Sequence, residues 1–133
     1  MCLFRLLGRG LKYKVRRATC KGRTFDLEIA DTQRKLTIGL MNKEKMSKRS
    51  GMLFIFPNEA RHKFWMLNMK FAIDILWLDG RKRVVHVARD AKPCGSIFTC
   101  KGIEPSHDAR YVVELKSGVA REAGISVGDS FKF

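Results

Sequence analysis

Asp74 lies between Ile73 and Ile75 in an apolar stretch of the chain. A carboxylate in that setting must either face solvent or be met by donors, because an unpaired buried charge is strongly unfavourable. Two roles meet the condition. Asp74 can accept hydrogen bonds that pin a loop, or it can be the polar anchor of a ligand pocket together with Asn68 and Trp65. Trp65 suits either role, since its broad apolar ring carries one N–H donor and serves in a core or as a stacking platform. Cys94 borders the same group. No adjacent histidine and carboxylate would make it a nucleophile, so it reads as a partly buried residue at the edge of a groove.

The remaining reactive side chains form no recognisable centre. Cys94, Cys100 and His107 are spaced Cys-x5-Cys-x6-His, wider than the usual spacing of paired zinc ligands, and Cys20, His62 and His86 are scattered. No metal site or cofactor is expected. Met41, Met52, Met66 and Met69 read as adaptable apolar fillers. The chain has no nucleophile elbow, Gly-rich phosphate loop or His-Glu zinc motif. Glu114 and Asp129 stand in ordinary places, one alternating within a strand and one in a turn. Catalysis is therefore not the expected activity.

The elements that must position these residues are mostly strands. Residues 23–30 alternate, with Phe25, Leu27 and Ile29 on one side and Asp26 and Glu28 on the other. Asp31 offers an N-cap for a short helix that Gly39 ends. Residues 41–50 read as a polar surface loop. The apolar run 52–56, stopped by Pro57, suits a strand buried on both faces. Further strands are predicted at 64–66, 73–78, 83–88, 111–115 and 131–133, with a turn at Asp79-Gly80 and a helical turn at 119–123. Residues 91–109 are irregular, punctuated by Pro93, Gly95, Gly102 and Pro105. The pattern predicts a mainly β single domain, a compact sandwich or barrel-like fold with one or two short helices.

A chain of 133 residues with 45% apolar content is the size of one domain. Charged residues interrupt every apolar stretch, so no membrane span is expected. The apolar start is too short and its basic residues follow rather than precede it, so no secretory signal is read and the expected location is cytoplasmic. The four cysteines are expected to be mostly reduced, although Cys94 and Cys100 could close a small loop in an oxidising compartment.

The net charge is +14 and unevenly spread. Before Asp26 stand Arg5, Arg9, Lys12, Lys14, Arg16, Arg17, Lys21 and Arg23, with no acid among them. Residues 1–22 thus read as a basic N-terminal arm and 23–133 as the β domain. The field attracts polyanions or simply maintains solubility. Nucleic-acid binding would use the arm, Arg34 and Lys35, residues 43–49 and the turn residues Arg81, Lys82 and Arg83.

Several short motifs occur in one order: Gly39-Leu40-Met41, Gly51-Met52-Leu53-Phe54-Ile55-Phe56, Phe64-Trp65-Met66, Asp74-Ile75 with Leu78-Asp79, Cys94, Tyr111-Val112-Val113-Glu114, Gly124-Ile125 and Val127-Gly128-Asp129. In that order they resemble the family called domain of unknown function 192, in register from about residue 25 to 133. The resemblance implies a compact sandwich or barrel-like β domain found in archaea and bacteria, with no established activity. Where the family usually reads Trp-Met-Lys-Asn-Thr and Ile-Pro-Leu-Asp, this chain has Trp65-Met66-Leu67-Asn68-Met69 and Phe71-Ala72-Ile73-Asp74. Leu67 and Met69 replace the Lys and the Thr.

Two functional readings follow. In the first, a rigid β scaffold holds a small molecule or a peptide in a groove bordered by Trp65, Asn68, Asp74 and Cys94. In the second, the basic arm and loops bind nucleic acid.

Overall fold

A computed structural model describes residues 10–133. Six strands, β1 (Val15–Cys20), β2 (Arg23–Ala30), β3 (Ser50–Ala60), β4 (Ile73–Leu78), β5 (Val84–Ala91) and β6 (Ala109–Lys116), form one sheet ordered β1-β2-β3-β6-β4-β5. Two short helices, α1 (Gln33–Ile38) and α2 (Val119–Glu122), complete the domain. The fold is mainly β, as the alternation of apolar and polar residues predicts.

The first strand pair shows how turn chemistry sets the architecture. Lys21 and Gly22 both have positive φ, 54° and 76°, which makes a tight two-residue hairpin and pairs Cys20 with Arg23. Residues 15–20 belong to the segment read as a basic arm. They instead form an edge strand whose Ala18 and Cys20 are buried, so the folded unit begins before Arg23.

β2 and β3 run parallel, and parallel neighbours need a crossover; here it contains α1. The N-cap is Thr32 rather than Asp31, its side chain accepting the Lys35 N–H at 3.2 Å. Every other strand pair is antiparallel. β3 runs past Pro57 to Ala60 through an irregularity in its pairing with β6. Residues 64–66, expected to be a strand, contribute only the isolated pair Phe64↔Ile103, with Leu67↔Cys94 close by.

The C-terminal residues also form isolated pairs rather than a strand, Thr19↔Lys132 at one edge and Arg83↔Ser130 at the other. They bridge the two ends of the sheet without closing it.

Both faces of the sheet are covered, which gives two apolar clusters. One contains Phe25, Leu27, Leu53, Leu76, Leu78, Val113 and Leu115 beneath α2 and Phe131. The other contains Met52, Phe54, Ile75, Trp77 and Val112 beneath Leu40, Met66 and Met69. The segments 36–46 and 64–72 that roof this second face have little regular structure, and the cavity described next lies among them.

Candidate functional site

β6 carries alternate side chains to opposite faces, so Val113 and Leu115 enter the first cluster and Val112 and Glu114 turn to the second. Glu114 is paired with Met52 on one side and Ile75 on the other, in the middle of the sheet. It is only 4% exposed. Among the described residues nothing donates a hydrogen bond to its carboxyl or forms an ion pair with it. Burial pushes that carboxyl up to about 8. At neutral pH it is therefore mostly a neutral acid that can both donate and accept.

Glu114 lines a cavity of about 220 Å³. Residues 36–41 form one wall, Phe54 and Phe56 come from β3, and Phe64, Trp65 and Met69 close the other side. Lys63 is the second charged side chain in the lining. The aromatic wall is ordered by edge-to-face contacts, Phe54 with Phe64 at 4.9 Å and Phe56 with Phe64 at 6.2 Å between ring centroids. Gly39 keeps the approach to the carboxyl open. It adopts φ +51°, and a Cβ there would lie 3.0 Å from Phe54 Cζ and 3.9 Å from Glu114 Oε1.

The four residues selected from the sequence do not converge. Trp65 lines the cavity and is 37% exposed. Asn68 adopts a left-handed turn at φ 60°, and its carbonyl accepts the Asn42 N–H at 3.0 Å; it does not line the cavity. Asp74 serves as a structural acceptor: its Oδ1 accepts the Asp90 N–H at 2.9 Å, and its Oδ2 accepts those of Gly118 and Ala120 at 3.1 and 3.0 Å. These bonds fix a left-handed residue of β5 and the start of α2, on the face away from the cavity. Asp74 is thus bonded to backbone donors and does not line the cavity, which Glu114 does. Cys94 is joined to Cys100 by a disulfide, where mostly reduced thiols are expected. Its N–H donates to the Met66 carbonyl at 3.2 Å, which clips that loop to the Phe64–Met69 wall. Cys20 is free and buried, and burial pushes its thiol up to about 11.

Of the basic residues, Arg5 and Arg9 lie outside the described residues. Lys12, Lys14, Arg16 and Arg17 are exposed along β1 and its approach, with Arg17 3.6 Å from the Asp26 carboxylate. Arg81 and Arg83 are exposed at the β4–β5 turn. Lys82 is committed elsewhere: its ammonium donates to the Phe133 carbonyl at 2.6 Å and sits 4.3 Å from the centre of that ring. Among the described residues no group of three or more His, Cys, Asp or Glu is placed to hold a metal ion, and no helix is long and apolar enough to cross a membrane.

Glu114 is the residue that sequence reasoning passed over. In Tyr111-Val112-Val113-Glu114-Leu115 an alternating strand with one wet face and a strand covered on both faces look the same. The distinguishing signal lies in the partners: Glu114 sits across from Met52 and Ile75, two apolar residues of strands that are themselves buried.

The family model described as Uncharacterized ACR, domain of unknown function 192, matches residues 15–133. That match starts at the first residue of β1. A UPF0127 protein of Thermococcus gammatolerans is 34% identical over 116 residues, covering 82% of this chain and 68% of its own length. One from Thermococcus kodakarensis is 31% identical over 108 residues, covering 77% and 61%. The chain thus spans about two thirds of these relatives. Two solved structures share the fold. A protein of unknown function from Novosphingobium aromaticivorans has a TM-score of 0.85 at 24% identity, covering 94% of this chain and 89% of its own. A Sinorhizobium meliloti protein, provisionally described as a transcription regulator, has a TM-score of 0.82 at 28% identity, covering 92% and 95%.

Proposed function

The chain belongs to the family of domain of unknown function 192, and on that premise we propose that it is a binding module whose small, largely apolar ligand occupies the Glu114 cavity. The observation that carries this reading is the buried acid without a partner. Buried polar groups are almost always satisfied, and one left open at the floor of an aromatic cavity is what a ligand with a single polar group would complete. The size agrees with that role, since an apolar cavity of roughly 150 Å³ is enough to hold benzene. The disulfide and the Cys94 to Met66 hydrogen bond keep one wall in place, which lowers the ordering cost of binding.

NMR of the methyl groups of Leu40, Met41 and Met69 during titration with small aromatic molecules tests the reading. Shifts confined to these residues and the Trp65 ring are expected. A panel of such molecules that moves none of them contradicts it.

A second reading has its own support. The exposed basic residues of β1 continue the charge of the chain's start, and one structural relative carries the provisional description of a transcription regulator. Polyanion binding along that edge would weaken steeply with salt. Fluorescence anisotropy with duplex and single-stranded DNA at two salt concentrations checks it; no binding at low salt removes it.

A further inference from the structure

We propose that the Glu114 cavity takes the ammonium head of a small monoamine with an apolar body, the carboxylate acting as its counter-ion. This inference rests on the reading of the cavity as a ligand site and names the chemistry of what fills it.

Among the described residues the carboxyl has no donor, so a ligand that brings donors completes its ionised form. An ammonium brings three and adds a charge that a largely buried carboxylate would bind strongly. The walls favour the same group. Phe54, Phe56, Phe64 and Trp65 contribute four aromatic rings to the lining, a residue type that attracts cations at its faces, although one face of Phe56 is covered by the His62 ring at 3.7 Å.

The other charged side chain sets a limit on the ligand. The part of α1 in the lining, β3 and the segment 39–41 place no ionisable side chain in the cavity; segment 63–69 contributes Lys63 and β6 contributes Glu114. Lys63, whose ammonium lies 3.9 Å from the Glu104 carboxylate, would oppose a second ammonium, so the ligand carries only one. A volume of about 220 Å³ leaves room for one benzene-sized ring and a short amine-bearing chain. A free arylalkylamine and the lysine side chain of a peptide both present this chemistry.

Pairing has a proton balance that can be measured. At pH 7 most Glu114 is protonated, and forming the carboxylate–ammonium pair transfers that proton to the buffer. A neutral ligand hydrogen-bonded to the acid releases none.

Calorimetry with the whole chain in two buffers of different ionisation enthalpy compares 2-phenylethylamine with 2-phenylethanol, which has the same shape without the charge. We expect the amine to bind about tenfold tighter or better, with close to one proton released, and the preference to shrink to about twofold in Glu114→Gln. Nα-acetyl-lysine N-methylamide gives the peptide arm: tighter binding of this probe with the same proton release supports the pairing with lysine as its source. Equal affinity of amine and alcohol for the wild-type chain overturns the inference while leaving the cavity a ligand site. An amine preference that survives in Glu114→Gln overturns it too. If neither probe nor any neutral aromatic molecule shifts the Trp65 ring, the reading of the cavity falls first and the inference with it.

Discussion

Asp74 and Glu114 are the two buried acids of the sheet, and they sit on neighbouring ladder positions of β4 and β6 facing opposite ways. Asp74 is met by three backbone N–H groups, and Glu114 by none among the described residues. The first face is thereby finished: its acid is consumed in holding α2 and the end of β5. The second face is left open at one polar point, under a roof made of loops and the last turn of α1. The contrast teaches that burial alone does not mark a site; what marks it is a polar group whose partners the fold does not supply.

Replacing Asp74 by Ala should have the largest effect on this contrast. Three backbone donors would lose their acceptor at about 1–3 kcal/mol each, so we expect a loss of roughly 4 kcal/mol, read by urea unfolding. That is a large part of a small domain's stability. Glu114→Gln at neutral pH should cost far less, because no protein donor loses a partner. Equal destabilisation by the two substitutions would erase the contrast.

A second test uses pH. The folded carboxyl of Glu114 titrates near 8 and the unfolded one in the ordinary carboxylate range, so between those limits the folded state holds a proton that the unfolded chain has released. Stability should therefore fall as pH rises through that window, by about 1.4 kcal/mol per pH unit, and level off above it. Unfolding midpoints from pH 5 to 9 give the slope, and Glu114→Gln should flatten it. A stability that rises across this window in the wild-type chain would contradict the account.

The disulfide gives a smaller effect. Closing a loop of this length contributes roughly 2 kcal/mol, so the double change Cys94→Ser with Cys100→Ser should lower stability by about that much. It should also weaken ligand binding more than its stability loss explains, because the Phe64–Met69 wall is clipped to that loop. Binding unchanged in the double variant would separate the loop from the cavity.

The smallest effect is expected at the basic edge. Changing Arg16 and Arg17 to Ala should alter stability by under about 0.5 kcal/mol, since both are exposed and the Arg17–Asp26 pair is solvated. If the edge binds DNA, the salt slope of binding should fall by about 0.9 for each phosphate that the variant no longer neutralises. Cavity binding of an amine should do the opposite of DNA binding. It should strengthen modestly with salt, as the field of a chain carrying +14 is screened.

The apolar strands were legible in the sequence because β-period patterns and Gly-based turns are local. β2 and β4 fall at the residues that alternation and apolar runs predict. β1 was not legible: its Val15-Arg16-Arg17 start is exposed, and the Lys21-Gly22 turn lacks the Asn or Asp that signals a tight hairpin. The site was legible only through Trp65. Asp74 drew attention because a carboxylate between apolar neighbours must face solvent or find donors, and the donors that satisfy it come from residues 16 to 46 positions away. Glu114 was missed for the mirror reason. Its neighbours in sequence suit a strand with one solvated face, and it is the roof formed by residues 36–41 and 64–69 that leaves it only 4% exposed.

The most direct test of the central claim is a carbon-detected NMR titration of the Glu114 carboxyl in the ligand-free chain, assigned through Glu114→Gln. A midpoint near 8 is expected. A midpoint near the ordinary value of 4.5 would mean that the carboxyl is hydrated or already paired, and would contradict the account.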